Sequence, residues 1–449
     1  MKRKGKGRSL SSTHSWRIMA KFPALKKHLT IIALGSLTTG LGIPSLSLII
    51  TSKGFSLFQL SVAMFCYSLF AVVFEVPSGI FCDAKGRRIS YQLGQVFSLC
   101  GTGCFFSSHF PVLCLGFAFN GIGRAFASGS LDALIIEDHL SHGGTMDQVV
   151  MALEITSSAA LAVGSLGGGF LLTMGTTGPQ LTNPVLAIRG MLILLNLILL
   201  QFLIQKDTVS GAQGSPSFAR QVQIFVNQTK ANRFLLIYVL FTLFQGFQLA
   251  SLESYWQPYL KSLLTSKTDF WFLGALGSSL FLVSIIGSVL GKSLMSRGRP
   301  SRLFLLGMGL SFLFEAALPF VPSIATFCLP YVLIYLNLGI ASVVGGCLLN
   351  DSLDSSVRSS SLSLNSFALQ IGGIFSILLA MVVLRHGAIG RLWILTSAIC
   401  MLFLLVISRP FLRSIQDQRH NKTQEEREGK TERKGYGIED LVQPQNENS

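Results

Sequence analysis

Apolar residues in this chain arrive in blocks of about twenty, separated by short polar breaks, rather than in the periodic stripes of soluble amphipathic helices. A helix rises 1.5 Å per residue, so about twenty apolar residues cross the hydrocarbon layer. Windows of that kind fall at residues 28–50, 57–82, 89–109, 111–136, 148–174, 185–205, 233–256, 270–296, 301–320, 323–349, 359–384 and 388–408. The pattern predicts an all-α polytopic membrane protein with twelve spans.

Residues 206–232 form the one long polar insertion between spans, and they divide the spans into two groups of six. The predicted organisation is a basic arm (1–27), a six-helix bundle (28–205), a linker (206–232), a second six-helix bundle (233–408) and a charged tail (409–449) whose composition predicts disorder. Within the linker, Phe218, Val222, Phe225 and Val226 follow helical spacing and predict a short amphipathic helix on the membrane surface. An internal repeat supports the six-plus-six division. Gly79, Lys85, Gly86 and Arg87 after the second span recur as Gly291, Arg297, Gly298 and Arg299 after the eighth. Met295 stands where the first copy has Asp83. Duplicated halves related in this way are a transporter architecture.

Charge orients the array. Only 13% of residues are charged and 50% are hydrophobic, against roughly 25% charged in soluble domains. The net charge of +15 is concentrated: residues 1–30 carry nine Lys/Arg and no acid. The remaining bases favour the same face, leaving Lys53, Lys261, Lys267, Arg385 and Arg391 on the other. This positive-inside bias predicts that both termini are cytoplasmic, and the expected location is the cell's cytoplasmic (inner) membrane. It accounts for the basic balance without nucleic acid as a partner. The basic arm runs into a full-length apolar stretch with no early small-residue cleavage site, so the first span is expected to be retained. The eight cysteines lie in predicted spans without accompanying histidines, and are expected to be small core residues rather than disulfides or metal ligands.

The densest motif is Gly79-x3-Asp83-x2-Gly86-Arg87-Arg88, preceded by Phe74-Glu75-Val76-Pro77-Ser78. Gly79 permits close helix approach and Gly86 a tight turn. Asp83 ends span two, where it can accept hydrogen bonds or face a helix N-terminus, and Arg87 and Arg88 reach headgroups or acidic partners. In its spacing and its place between spans two and three, this loop resembles the signature of the Major Facilitator Superfamily. The resemblance covers residues 28–408 and implies two six-helix bundles around a central cavity. It also implies a conformational latch at Gly79, Asp83, Gly86, Arg87 and Arg88, with Asp132 as a partner within reach.

Span four carries Asn120, Arg124, Ser128 and Asp132 at intervals of four, a polar stripe on one helical face. Arg124 lies about 20 Å along that span, where a charge costs about 2.5–3.5 kcal/mol or more. It must therefore meet a cavity or a partner. Span seven carries Thr242, Gln245, Gln248 and Glu253 ahead of an aromatic belt, Tyr255, Trp256 and Tyr259. Asn120, Arg124, Ser128, Gln245 and Glu253 are the candidate cavity and coupling residues, with Glu253 as the titrating carboxylate. Glu75 and Glu154 are expected to pair with basic loops, and Glu315 to be structural. Gly287-SVL-Gly291-Lys292-Ser293 approaches a P-loop but has three residues rather than four between the glycines, and it ends an apolar span.

The functional expectation is therefore a non-enzymatic, cofactor-free multi-pass transporter working as a monomer. Proton-coupled antiport of small or amphipathic compounds, namely efflux, follows from the resemblance of the FEVPSG-to-GRR segment and of GRAFASGSLDAL to bacterial efflux-type members. Proton-coupled uptake of a nutrient or organic anion is the alternative. A non-transporting sensor or scaffold is the remote one.

Overall fold

The structure, a computed structural model, describes residues 23–204 and 233–439 apart from 177, 265, 297, 322 and 352–357. The predicted linker helix and most of the basic arm lie outside the described residues. In chain order the first half contains α1 (Pro23–Gly42), the short α2 (Leu48–Thr51), α3 (Leu57–Lys85), α4 (Arg87–Cys104), α5 (Phe110–Ala127), α6 (Ser130–Ser141), α7 (Met146–Met174) and α8 (Asn183–Leu203). The second half contains α9 (Arg233–Leu263), α10 (Trp271–Met295), α11 (Pro300–Ala317), α12 (Ile324–Asp351), α13 (Arg358–Val383) and α14 (Ile389–Glu439). Counting α1 with α2 and α5 with α6, these make the twelve membrane-length elements read from the sequence.

Among the described residues, ten helical segments are long and apolar enough to cross a membrane. The first and third elements are more polar, and the third buries its polar groups against neighbouring helices. In α4, Arg88, Ser90, Tyr91, Gln95 and Thr102 are all buried, with Ser90 Oγ donating to the Phe126 carbonyl of α5.

Two local features depart from the expectation. The fourth element breaks at Ser128–Gly129, where Gly129 has φ +66°, a conformation that costs glycine little and other residues more. The polar stripe therefore does not continue: Ser128 and Asp132 lie beyond the end of the helix that carries Asn120 and Arg124. In addition, the charged tail expected to be disordered continues α14 as helix to Glu439. Its run of Gln, Glu, Lys and Arg has high helix propensity, and extending an existing helix avoids the nucleation step.

Close packing within each half is set by glycine. Gly40 of α1 and Gly164 of α7 meet backbone to backbone. In the second half, Gly246 of α9 and Gly372 of α13 interlock still more tightly. A methyl group on either would collide with the facing carbonyl oxygens of Leu369 and Leu243.

The halves join at the end away from the basic loops. Ser47 Oγ lies 2.6 Å from the Ser254 carbonyl and 3.0 Å from Gln257 Oε1. Gln257 Nε2 donates to the Ile43 carbonyl at 2.9 Å, and the Ser61 and Tyr255 hydroxyls are 2.7 Å apart. Ser165 of α7 donates to the Gly274 carbonyl of α10 at 3.1 Å. One apolar core runs through this end and joins both halves, from Leu41, Leu48 and Leu60 to Leu252, Leu273 and Phe327. At the basic end the first half has a separate core, built from Leu25, Leu29, Tyr91, Ile135, Leu153 and Leu200. There a cavity of about 430 Å³ lies between α7 and α10, lined by Glu154, Ser158, Ser284, Ser288 and Lys292 among others.

Candidate functional site

Arg124 and Glu253 come from different halves and lie within electrostatic reach of each other. Both side chains are solvent-accessible although they sit deep along their helices, so they face open space between the bundles. Arg124 Nη1 donates to the Tyr67 hydroxyl of α3 at 3.4 Å, and Glu75, two turns further along α3, also acts on it. Glu75, expected to pair with basic loops, thus faces the centre instead. On the far wall the Glu253 carboxylate faces the Tyr335 hydroxyl of α12, whose ring packs 5.4 Å from that of Tyr331. The arrangement is a cation from α5 and a carboxylate from α9 on opposite walls, each buttressed by tyrosines.

The other predicted cavity residues divide. Asn120 is buried, with its amide donating to the Gly116 carbonyl at 2.9 Å. Its oxygen accepts from Arg189 Nη2 at 2.8 Å, so Asn120 holds an arginine rather than lining open space. Ser128 is exposed beyond the end of α5. Gln245 is half-buried on α9, near the hydrogen bond from Thr242 to Asn365 that ties α9 to α13. Gln248 turns the other way, where it accepts from Ser311 at 3.2 Å and faces the fully buried Glu315 together with Ser251 and Ser397. Glu315 is therefore outside the central space. Sequence reasoning did not select Arg189 or Tyr67. A lone arginine early in an apolar span was the available signal for Arg189, and Tyr67 had none.

At the basic end, Gly86 has φ +96° and terminates α3 while opening α4. Its repeat partner Gly298 lacks that conformation, and Pro300 starts α11 instead. Arg87 pairs with Glu137 of α6 at 2.6 Å, whereas Asp132 lies near Glu154. Arg88, read as a headgroup anchor, is buried and donates to Gln201 Oε1 at 2.6 Å. A side-chain carbon added at Gly79 would meet nothing within 4 Å among the described residues, and Asp83 is exposed. Among the described residues no close helix approach forms at Gly79, and the Arg87–Glu137 and Arg88–Gln201 bonds lie within the first half.

Paired six-helix bundles with charged walls facing a central space define a membrane transporter rather than an enzyme. The profile of the Major Facilitator Superfamily matches residues 29–266, and the chain belongs to that superfamily. A relative in Bacillus subtilis (strain 168), the uncharacterized MFS-type transporter YxaM, is 23% identical over 252 residues. That match covers 56% of this chain and 62% of the relative's length.

Solved structures share the fold at low identity. The nucleoside transporter NupG aligns at 13% identity with a TM-score of 0.71, over 88% of this chain and 99% of that one. A bacterial homolog of the human lysosomal transporter Spinster, in an inward-facing and unoccupied conformation, aligns at 14% identity and 0.65, over 90% and 99%. A D-xylose-proton symporter aligns at 15% identity and 0.61, over 88% and 97%.

Proposed function

We propose that this protein moves a small organic solute across the cell's inner membrane by alternating access, coupled to protons through Arg124 and Glu253. The observation that carries the reading is that these opposite charges face each other from different bundles across the central space. Movement of one bundle against the other changes their separation, and a proton on Glu253 removes the attraction. Proton binding and bundle movement thereby act on one pair of side chains.

The Lys/Arg asymmetry supports a cytoplasmic placement of the basic end and of both termini. With that orientation, the hydrogen bonds at Ser47, Ser61 and Gln257 seal the outer side, and the conformation described is open to the cytoplasm. The signature loop would engage only when the cytoplasmic side closes, which agrees with the exposure of Gly79 and Asp83. Cysteines replacing Ser47 and Ser254, in a background with the native cysteines removed, should cross-link on oxidation and stop transport. Reduction should restore it. Transport that persists after complete cross-linking would exclude opening at this end.

Export in antiport with protons is the direction proposed, on the motif resemblance described above. Uptake in symport is the second reading, favoured by the likeness of fold to a D-xylose-proton symporter. Proton movement assayed in inverted and right-side-out vesicles decides between them. Export predicts that an inward proton gradient in cells empties them of solute, and uptake predicts that the same gradient fills them.

A further inference from the structure

From the surroundings of Arg124 and Arg189 we infer that the first bundle holds a binding site for a small organic carboxylate, in which Arg189 is the principal anchor. This rests on the transport reading above and names the class of solute. Arg124 on α5 and Arg189 on α8 both lie within electrostatic reach of the Tyr67 hydroxyl. Among the described residues neither guanidinium has a carboxylate within 4.0 Å. Arg124 is offset at longer range by Glu75 and Glu253. Arg189 has no such compensation: its one side-chain bond among the described residues is to the neutral Asn120, and its buried Nε has no hydrogen-bond partner.

A guanidinium at this depth is costly unless its charge and its five donors are met. The sequence surrounds it with asparagine, tyrosine and glycine rather than with an acid. Gly42 leaves open the position from which Arg189 Nη1 is 3.8 Å. Asn120, itself fixed to the Gly116 carbonyl, orients the guanidinium by occupying Nη2 and leaves other donors for a ligand. Tyr67 meets Arg124 on the wall of the central space and lies within electrostatic reach of Arg189, so a carboxylate bound at Tyr67 can also accept from Arg189. A neutral sugar or nucleoside would leave the Arg189 charge unanswered.

The test uses purified full-length protein with sodium benzoate and disodium succinate as anionic probes, and D-xylose and uridine as neutral ones. Thermal unfolding is read at constant sodium and ionic strength. At least one carboxylate should raise the Tm in a saturable way, while both neutral solutes leave it unchanged. Arg189→Gln should weaken that binding at least about tenfold, the loss expected for a charge-assisted hydrogen bond. Arg189→Lys should recover part of it, which also shows that the site tolerates change without misfolding. Equal carboxylate affinity in Arg189→Gln, or saturable stabilisation by xylose or uridine with none by carboxylates, would overturn the assignment. Proton-driven movement of a neutral solute in proteoliposomes would leave the transport reading standing and remove the carboxylate site alone.

Discussion

Glu253→Gln and Arg124→Gln should each reduce proton-driven transport by at least about a hundredfold in proteoliposomes, which corresponds to about 2.7 kcal/mol. The reason lies in what each change removes. Glutamine at 253 keeps the volume and the approach to Tyr335 but cannot carry or release a proton. The walls can then move without a proton following. Glutamine at 124 leaves the Tyr67 contact possible and abolishes the cation that makes the charge state of Glu253 matter. The two variants should differ in one respect. Glu253→Gln should retain solute exchange without a pH gradient, because only the coupling step is lost. Arg124→Gln should lose both. Wild-type gradient-driven rates in either variant, with normal insertion, would remove the pair from the mechanism.

Gly246→Leu should prevent recovery of a folded, monodisperse protein in detergent, and Gly372→Leu should do the same. At these positions the facing carbonyl oxygens leave no room even for a methyl group. Helices α9 and α13 would have to separate, with loss of the Thr242–Asn365 bond and of the surrounding contacts. Overpacking of side chains alone costs about 1–3 kcal/mol, and displacement of two backbones costs at least the upper part of that range. Against a total stability of roughly 5–15 kcal/mol, this is a large fraction. Gly103→Ala, where nothing lies within 4 Å of the added atom, is the control and should leave the Tm within a degree or two. Size-exclusion profiles and thermal unfolding of the three variants check the prediction. A Gly246→Leu protein with the wild-type Tm would show that the described helix approach is wrong.

The candidate site was legible where a residue's chemistry conflicts with lipid. Arg124 and Glu253 stand out because an ionised group in an apolar span is expensive, and this holds whatever the neighbours are. Asn120 was selected by the same logic and placed in the cavity, yet its amide is spent on Gly116 and Arg189. A polar side chain in a span can be satisfied by the bundle itself, and spacing cannot distinguish that from a face toward solvent. The signature loop shows a similar division. Gly86 makes the turn that its lack of a side chain allows, whereas the partner of Arg87 is Glu137, on a helix whose direction is reset at Gly129. Spacing by fours assumed one continuous helix through residues 120–132, and a single left-handed residue breaks that assumption.

The all-α polytopic class and the series of apolar, membrane-length segments were determined by the sequence alone, because each depends on a local quantity. The length of an apolar block fixes whether it crosses the bilayer, and no neighbour is needed to decide it. Which end joins the halves, that Arg124 and Glu253 face each other from opposite walls, and that Arg189 lies without a carboxylate beside it were decided only by tertiary structure. Those outcomes depend on how helices far apart in the chain rotate and approach, through glycine contacts and buried hydrogen bonds whose partners lie up to 214 residues away.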